Sequence, residues 1–96
     1  MSPKNKKKLD IIRVKLDKLD NKILYLLSHR TLLVKEVLKL KEFKKEIIDR
    51  KRIKFILKKI KNKSRKLNID PRITNRIWKN MIWSYIDYEK RNFKKK

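Results

Sequence analysis

The sequence predicts an all-α chain of three helices, the first far longer than the other two. Three observations carry this. Apolar residues recur every three or four positions over three separate stretches, which is the period of one helix face. Asp49 stands before the second stretch and Asp70 between the last two, each placed to start a helix. The chain has no glycine and only two prolines, and nowhere does it alternate apolar with polar residues as a half-buried strand would.

The first helix is predicted over residues 9–43, with a stripe of Leu9, Ile12, Leu16, Leu19, Ile23, Leu27, Val34 and Val37. At 1.5 Å per residue it is roughly 50 Å long. A compact domain of this chain length has a radius of gyration of about 12–13 Å. Such a helix protrudes from any monomer, and a second copy of the chain is its simplest cover. The stripe is also interrupted. Following its 4-3 spacing outward from Ile23 puts Arg13, Arg30 and Lys41 on or at the edge of the apolar face. Buried cations are costly unless paired, so these meet carboxylates of the protein or await an anionic ligand. Asp10, Asp17 and Asp20 sit in the N-terminal half and lysines crowd the C-terminal end, a polarity that suits the helix dipole.

Residues 44–48 read as a short connection. Asp49 then serves as an N-cap whose carboxylate accepts the orphan amides of the next turn, with Ile48 and Ile53 at the positions of a hydrophobic staple. The second helix, roughly 49–66, has the stripe Ile53, Ile56, Leu57 and Ile60, with Leu67 next in line and Arg52 beside it. In the following break, Asp70 as N-cap and Pro71 at the first helical position mark a helix start. The third helix runs from about 71 to 91 with the stripe Ile73, Ile77, Trp78, Met81, Ile82 and Tyr85. Glu89 continues that line, a carboxyl group where an apolar residue belongs.

Ninety-six residues allow one domain with a small core. We divide the chain into a disordered basic arm (1–8), a single helical domain (9–91) and a basic tail (92–96). Without cysteine and with one histidine, the chain offers neither disulfides nor an unaided metal site, and no cofactor is expected. No run approaches 18 apolar residues and no signal peptide is evident, so a soluble, cytoplasmic protein without membrane partners is expected. His29 is expected to be solvated. Ser28 and Ser84 lack the His/Asp arrangement that nucleophilic catalysis needs. Trp78, Trp83, Tyr85 and Tyr88 at helical spacing read as core or pocket lining.

The net charge of +22 invites a nucleic-acid reading. Lysine supplies 24 of the 32 cations, while alanine, glycine and glutamine are absent. That pattern looks like the bias of an AT-rich genome acting on neutral surface positions. The lysines are therefore read as a solvated surface, and specific nucleic-acid binding is not expected. A non-catalytic, basic helical protein that binds nucleic acid remains the alternative of another class. It would show a steep salt dependence.

Against that stands the misplaced set of Arg13, Arg30, Lys41, Arg52 and Glu89. Interhelical pairing with Asp20, Glu36 and Glu89 would neutralise part of it. Cations exceed carboxylates throughout, so pairing cannot be complete, and a small dianion met by arginine forks would resolve the imbalance.

From Leu9 to Glu89 the chain resembles the all-helical chorismate mutases. The resemblance rests on an ordered series: Leu9-Asp10-Ile11-Ile12-Arg13, Leu16-Asp17-Lys18-Leu19-Asp20, Ile23-Leu24-Tyr25-Leu26-Leu27, Ser28-His29-Arg30, and Val34-Lys35-Glu36-Val37-Leu38-Lys39-Leu40-Lys41. Asp49 and Arg52 are similar to that family's Asp-x-x-Arg, and Asn68-Ile69-Asp70-Pro71 to its turn into the third helix. The resemblance implies an intertwined homodimer of three-helix protomers with two active sites. It implies the rearrangement of chorismate to prephenate, a pericyclic step that needs no cofactor. Arg13 of one chain, with Arg30 and Arg52 of the other, would clamp the substrate carboxylates. Lys41 and Glu89 would bind the ether oxygen, and Asp49, Ile53 and Tyr85 would line the substrate.

Two positions depart from the family pattern. Glu89 stands where glutamine is usual, and a glutamate donates only when protonated. Burial favours that proton and a neighbouring Lys41 opposes it, so activity is expected to rise towards acid pH. Ile53 stands where typical mutases carry a glutamate for the ring hydroxyl. Ile53, with Trp83-Ser84-Tyr85-Ile86, is more similar to the isochorismate pyruvate lyases, which share the fold and release pyruvate from isochorismate, giving salicylate. Asp49 fits the mutases better. The mutase is the preferred reading and the lyase its alternative.

Overall fold

The computed structural model describes residues 1–94. The charged tail expected over 92–96 therefore lies partly outside the described residues. Three helices follow one another: α1 (Pro3–Leu40), α2 (Arg50–Lys66) and α3 (Pro71–Asn92). A single 3-10 turn at Lys44–Glu46 joins α1 to α2. The all-α, three-helix architecture with a long first helix matches the expectation from periodicity.

α1 begins at Pro3, so residues 3–8, expected as an arm, are helical. The cause lies in two residues. Ser2 Oγ accepts the amide hydrogen of Asn5 at 3.2 Å, its carbonyl accepts that of Lys6 at 2.9 Å, and Pro3 sits at the first helical position where its missing N–H is harmless. At its other end α1 stops at Leu40 rather than running to Phe43, and the Lys41 amide closes back on the Leu38 carbonyl at 3.2 Å. No residue of α1 is fully buried. Ile12, Leu16, Leu19, Ile23 and Val37 of the expected stripe are all about half exposed, and Ile11, Leu24, Leu26, Leu32 and Leu33 off the stripe are more so.

The chain divides into two compact units, Met1–Val34 and the part from Lys35 onward. The first is the larger part of α1. The second holds α2 packed on α3, with a core of Ile47, Ile82 and Ile86. Ile48, Ile53, Ile56, Leu57 and Phe93 pack around these three. At about 1.5–3 kcal/mol for each fully buried aliphatic side chain, this is a small core.

Ile47, exposed by 3 %, is the most deeply buried apolar residue, although it lies in a segment expected only to connect. α2 starts as predicted: Asp49 Oδ1 accepts the Arg52 amide at 3.0 Å. Its end shows how a glycine-free chain terminates a helix. Asn68 takes the left-handed conformation at φ 58°. The Ile69 amide reaches the Ser64 carbonyl at 2.9 Å and the Asn68 amide reaches Arg65 at 3.2 Å, the paired bonds of a Schellman turn with asparagine in glycine's place. Leu67, expected on the stripe, is 70 % exposed; Ser64 takes the inner position. Its hydroxyl bonds to the Ile60 carbonyl at 2.6 Å and to Thr74 Oγ1 at 2.7 Å, tying α2 to α3 through a buried, satisfied polar pair.

α3 is capped by Asp70, whose carboxylate accepts the Arg72 amide at 3.0 Å and pairs with the Arg72 guanidinium at 2.9 Å. Those bonds, the guanidinium's first and the amide's second, hold the exposed Asp70 carboxyl below its ordinary value of 3.8. The buried line of α3 is shifted from the expected stripe. Thr74, Ile82, Ile86 and Glu89 are buried, whereas Ile73 and Ile77 are exposed by 55 % and 49 %. The Ser64–Thr74 bond sets this rotation, because it turns the start of α3 so that Thr74, and not Ile73, faces α2.

Candidate active site

Lys41 follows the last residue of α1, and Glu89 sits in the last turns of α3. Their side chains meet. Lys41 Nζ lies 3.0 Å from Oε1 and 3.2 Å from Oε2 of Glu89, with side-chain exposures of 17 % and 7 %. A pair this dry loses much of its hydration, and its mutual attraction must offset that loss. Two hydrogen bonds to one ammonium make the geometry adequate, and no buried polar side-chain atom among the described residues is left without a partner. Tyr85, one turn before Glu89 on the same face of α3, is half-buried and engaged in an interaction of its own.

The second cluster lies at the start of α2. Asp49 caps the helix and is exposed, and its bond to the Arg52 amide leaves the Arg52 guanidinium outside that contact. That guanidinium lies over the Phe55 ring, 5.3 Å from its centroid. Ile53, on the neighbouring position, turns inward to pack against the Ile47, Ile82 and Ile86 core. An apolar side chain thus stands where the family pattern carries a glutamate.

Arg13 and Arg30 both stand on α1. Arg13 is exposed, while Arg30 is half-buried and takes part in an interaction. His29, also exposed, rests edge-on against Tyr25 with ring centroids 4.6 Å apart. A groove of about 310 Å³ is lined by Lys35, Leu38, Lys39, Tyr88, Asn92, Phe93 and Lys94; none of the predicted site residues lines it. Among the described residues no group of three His, Asp or Glu side chains could hold a metal ion.

A dry charge pair thus links the residue that follows α1 to the last turns of α3, in a three-helix chain with a capped Asp-x-x-Arg at the start of α2. A family model for chorismate mutase type II matches residues 12–90. The chain belongs to the chorismate mutase type II family. No match is found among curated proteins or among solved structures. Membership carries chorismate mutase-type chemistry and a small-molecule substrate. No helix among the described residues is long and apolar enough to cross a membrane.

The residues that sequence reasoning missed in this family member are structural ones. Ile47, Ser64, Thr74 and Ile86 hold α2 against α3 and so place Arg52 and Glu89. Ile47 and Ile86 had a signal, since each is an isoleucine beside a residue already singled out. Ser64 and Thr74 had none, because a hydroxyl pair becomes visible only once two helices face each other.

Proposed function

We propose that this family member is a chorismate mutase that converts chorismate to prephenate, and that residues 9–91 act as one domain completed by a second copy. The observation that carries the reading is the Lys41–Glu89 pair. It holds two hydrogen-bonding groups in a dry setting at the two positions that the resemblance assigns to the ether oxygen.

The reaction breaks a carbon–oxygen bond as a carbon–carbon bond forms, and negative charge grows on the ether oxygen. Lys41 donates to that oxygen, and Glu89 donates when protonated. A well-placed donor of this kind is worth about 3–4 kcal/mol of barrier. Arg30 and Arg52 hold the two carboxylates and so keep the substrate in its folded, reactive conformer. Asp49 and Tyr85 border the substrate, and Ile53 supplies an apolar wall.

Arg13 serves a different copy. It stands seventeen positions before Arg30 on the continuous α1 helix, and at 1.5 Å per residue the two are about 25 Å apart along the axis. Side chains that far apart cannot close on one small dicarboxylate. The unburied apolar face of α1 also needs a partner, since half-exposed Ile12, Leu16, Leu19 and Ile23 form a patch that a lone soluble chain rarely carries. An intertwined homodimer meets both requirements, because a partner's α1 covers the stripe and brings its Arg13 to the site.

Ile53, standing where the mutase pattern carries a glutamate, supports a second reading, isochorismate pyruvate lyase. Incubating the purified protein separately with chorismate and isochorismate, and identifying prephenate, pyruvate and salicylate, tests both. Prephenate from chorismate is the expected result. Pyruvate and salicylate alone would establish the lyase, and no product from either substrate would remove the enzyme reading.

A further inference from the structure

The charge of this protein is not spread evenly. α2 carries ten Lys or Arg and no Asp or Glu in 17 residues, while α3 carries five cations and two acids in 22. Nearly half of the net charge of +22 thus sits on the shortest of the three helices. A bias that turned surface positions to lysine indiscriminately would have marked α3 equally, and it has not.

The placement is one-sided. Ile53, Ile56 and Leu57 face the core, and at 3.6 residues per turn the cations fill the remaining arc of about 220°. Lys51, Lys54, Lys58, Lys61 and Arg65 form a row along one side of that arc, every one exposed. Among the described residues no α2 side chain is ion-paired to a carboxylate. Within the arc the largest apolar side chain is Phe55, 54 % exposed. Its ring is flanked by the Arg52 guanidinium at 5.3 Å and the Lys59 ammonium at 5.9 Å.

We infer that the outer face of α2 binds the phosphodiester backbone of single-stranded nucleic acid, without sequence specificity. A cationic track neutralises phosphates and releases their counterions. An exposed aromatic ring set within it offers a base a stacking surface. An anionic membrane is the weaker partner, because interfacial helices insert an apolar face and that of α2 is engaged with α3. Apart from Arg52 and the Asp49 cap, the surface uses nothing assigned to the active site, so it can operate beside catalysis.

The test is fluorescence anisotropy of a labelled 20-nucleotide oligouridine with the full chain across a salt series. The Lys51→Gln/Lys54→Gln/Lys58→Gln/Arg65→Gln variant should weaken binding at least tenfold and lower the log–log salt slope by about 3, as loss of four contacts to a single strand predicts. Lys4→Gln/Lys6→Gln/Lys7→Gln/Lys8→Gln removes the same formal charge from α1 and should cost less than threefold. Both variants should keep wild-type circular dichroism and wild-type turnover of chorismate. Phe55→Ala should weaken oligouridine binding about fivefold and leave a duplex of equal length nearly unaffected. Equal losses from the two quadruple variants, no binding of oligouridine near 150 mM salt, or tighter binding to phosphatidylserine vesicles than to oligouridine would overturn the inference.

Discussion

Lys41 Nζ sits 3.0 and 3.2 Å from the two carboxylate oxygens of Glu89, a residue 48 positions away that is only 5 % exposed. Each group makes the other's burial tolerable. Lys41→Met should therefore leave Glu89 stranded and lower stability by about 3 kcal/mol, the lower end of the range for breaking a buried pair, because Lys41 keeps some solvent. Lys41→Met/Glu89→Leu should recover most of that loss in urea unfolding. Equal midpoints for the single variant and the wild type would contradict the buried pairing.

The same contact bears on the reaction. A carboxylate paired with Lys41 only accepts hydrogen bonds, whereas an amide in its place keeps a donor for the ether oxygen. Glu89→Gln should therefore raise kcat/KM for chorismate at neutral pH. An unchanged or lower kcat/KM for Glu89→Gln would remove position 89 as a donor.

Arg30→Ala should lower kcat/KM at least about a hundredfold through lost positioning, while sedimentation gives the mass of the proposed dimer. Arg13→Ala should do the same. Mixing these two inactive variants and allowing exchange should restore about a quarter of wild-type activity, because half the dimers are mixed and each of those assembles one intact site. No recovery on mixing, with exchange verified, would place both arginines in sites of one chain.

Asn68 carries the positive φ that ends α2. Asn68→Gly should leave stability equal or slightly raised, and Asn68→Ala should lower it by about 1 kcal/mol, since a Cβ without asparagine's local hydrogen bonding disfavours the left-handed region. Thermal unfolding of the two variants decides this. A more stable alanine variant would mean the turn relaxes into another form.

Asp70 gives a pH-dependent contribution to stability. Arg72 holds its carboxyl below the ordinary value of 3.8. A depressed carboxyl stabilises the fold fully above its unfolded value and loses that contribution as pH falls through its folded value. The gap in melting temperature between wild type and Asp70→Ala should be constant above about pH 5 and narrow as pH drops below 3.8. A gap that persists undiminished at pH 2 would leave only the uncharged cap.

Much of the fold was legible because its signals are local. The 3.6-residue period of Leu16, Leu19 and Ile23, the caps Asp49 and Asp70, and Pro71 at a helix start each act within one or two turns. The Ser2-Pro3 start is equally local, but the run of lysines after it has no apolar period and reads as a disordered arm. Arg13, Arg30, Lys41 and Glu89 stood out for a related reason, since a charge on an apolar stripe is visible in one dimension.

By itself, then, the sequence determined three helices, the caps Asp49 and Asp70 and the charged residues that break the apolar faces, because helix formation and capping are governed by near neighbours. Only the tertiary structure decided how α3 is rotated against α2 and which residues at the end of α2 turn inward. Thr74 replaces Ile73 in the interior, Ser64 replaces Leu67, and Ile47 enters the core from a loop. Only it showed that Lys41 and Glu89 meet. Those outcomes depend on the rotation of one helix against another, which is set by the summed packing and hydrogen bonding of residues distant in the chain and leaves no periodic trace in the sequence.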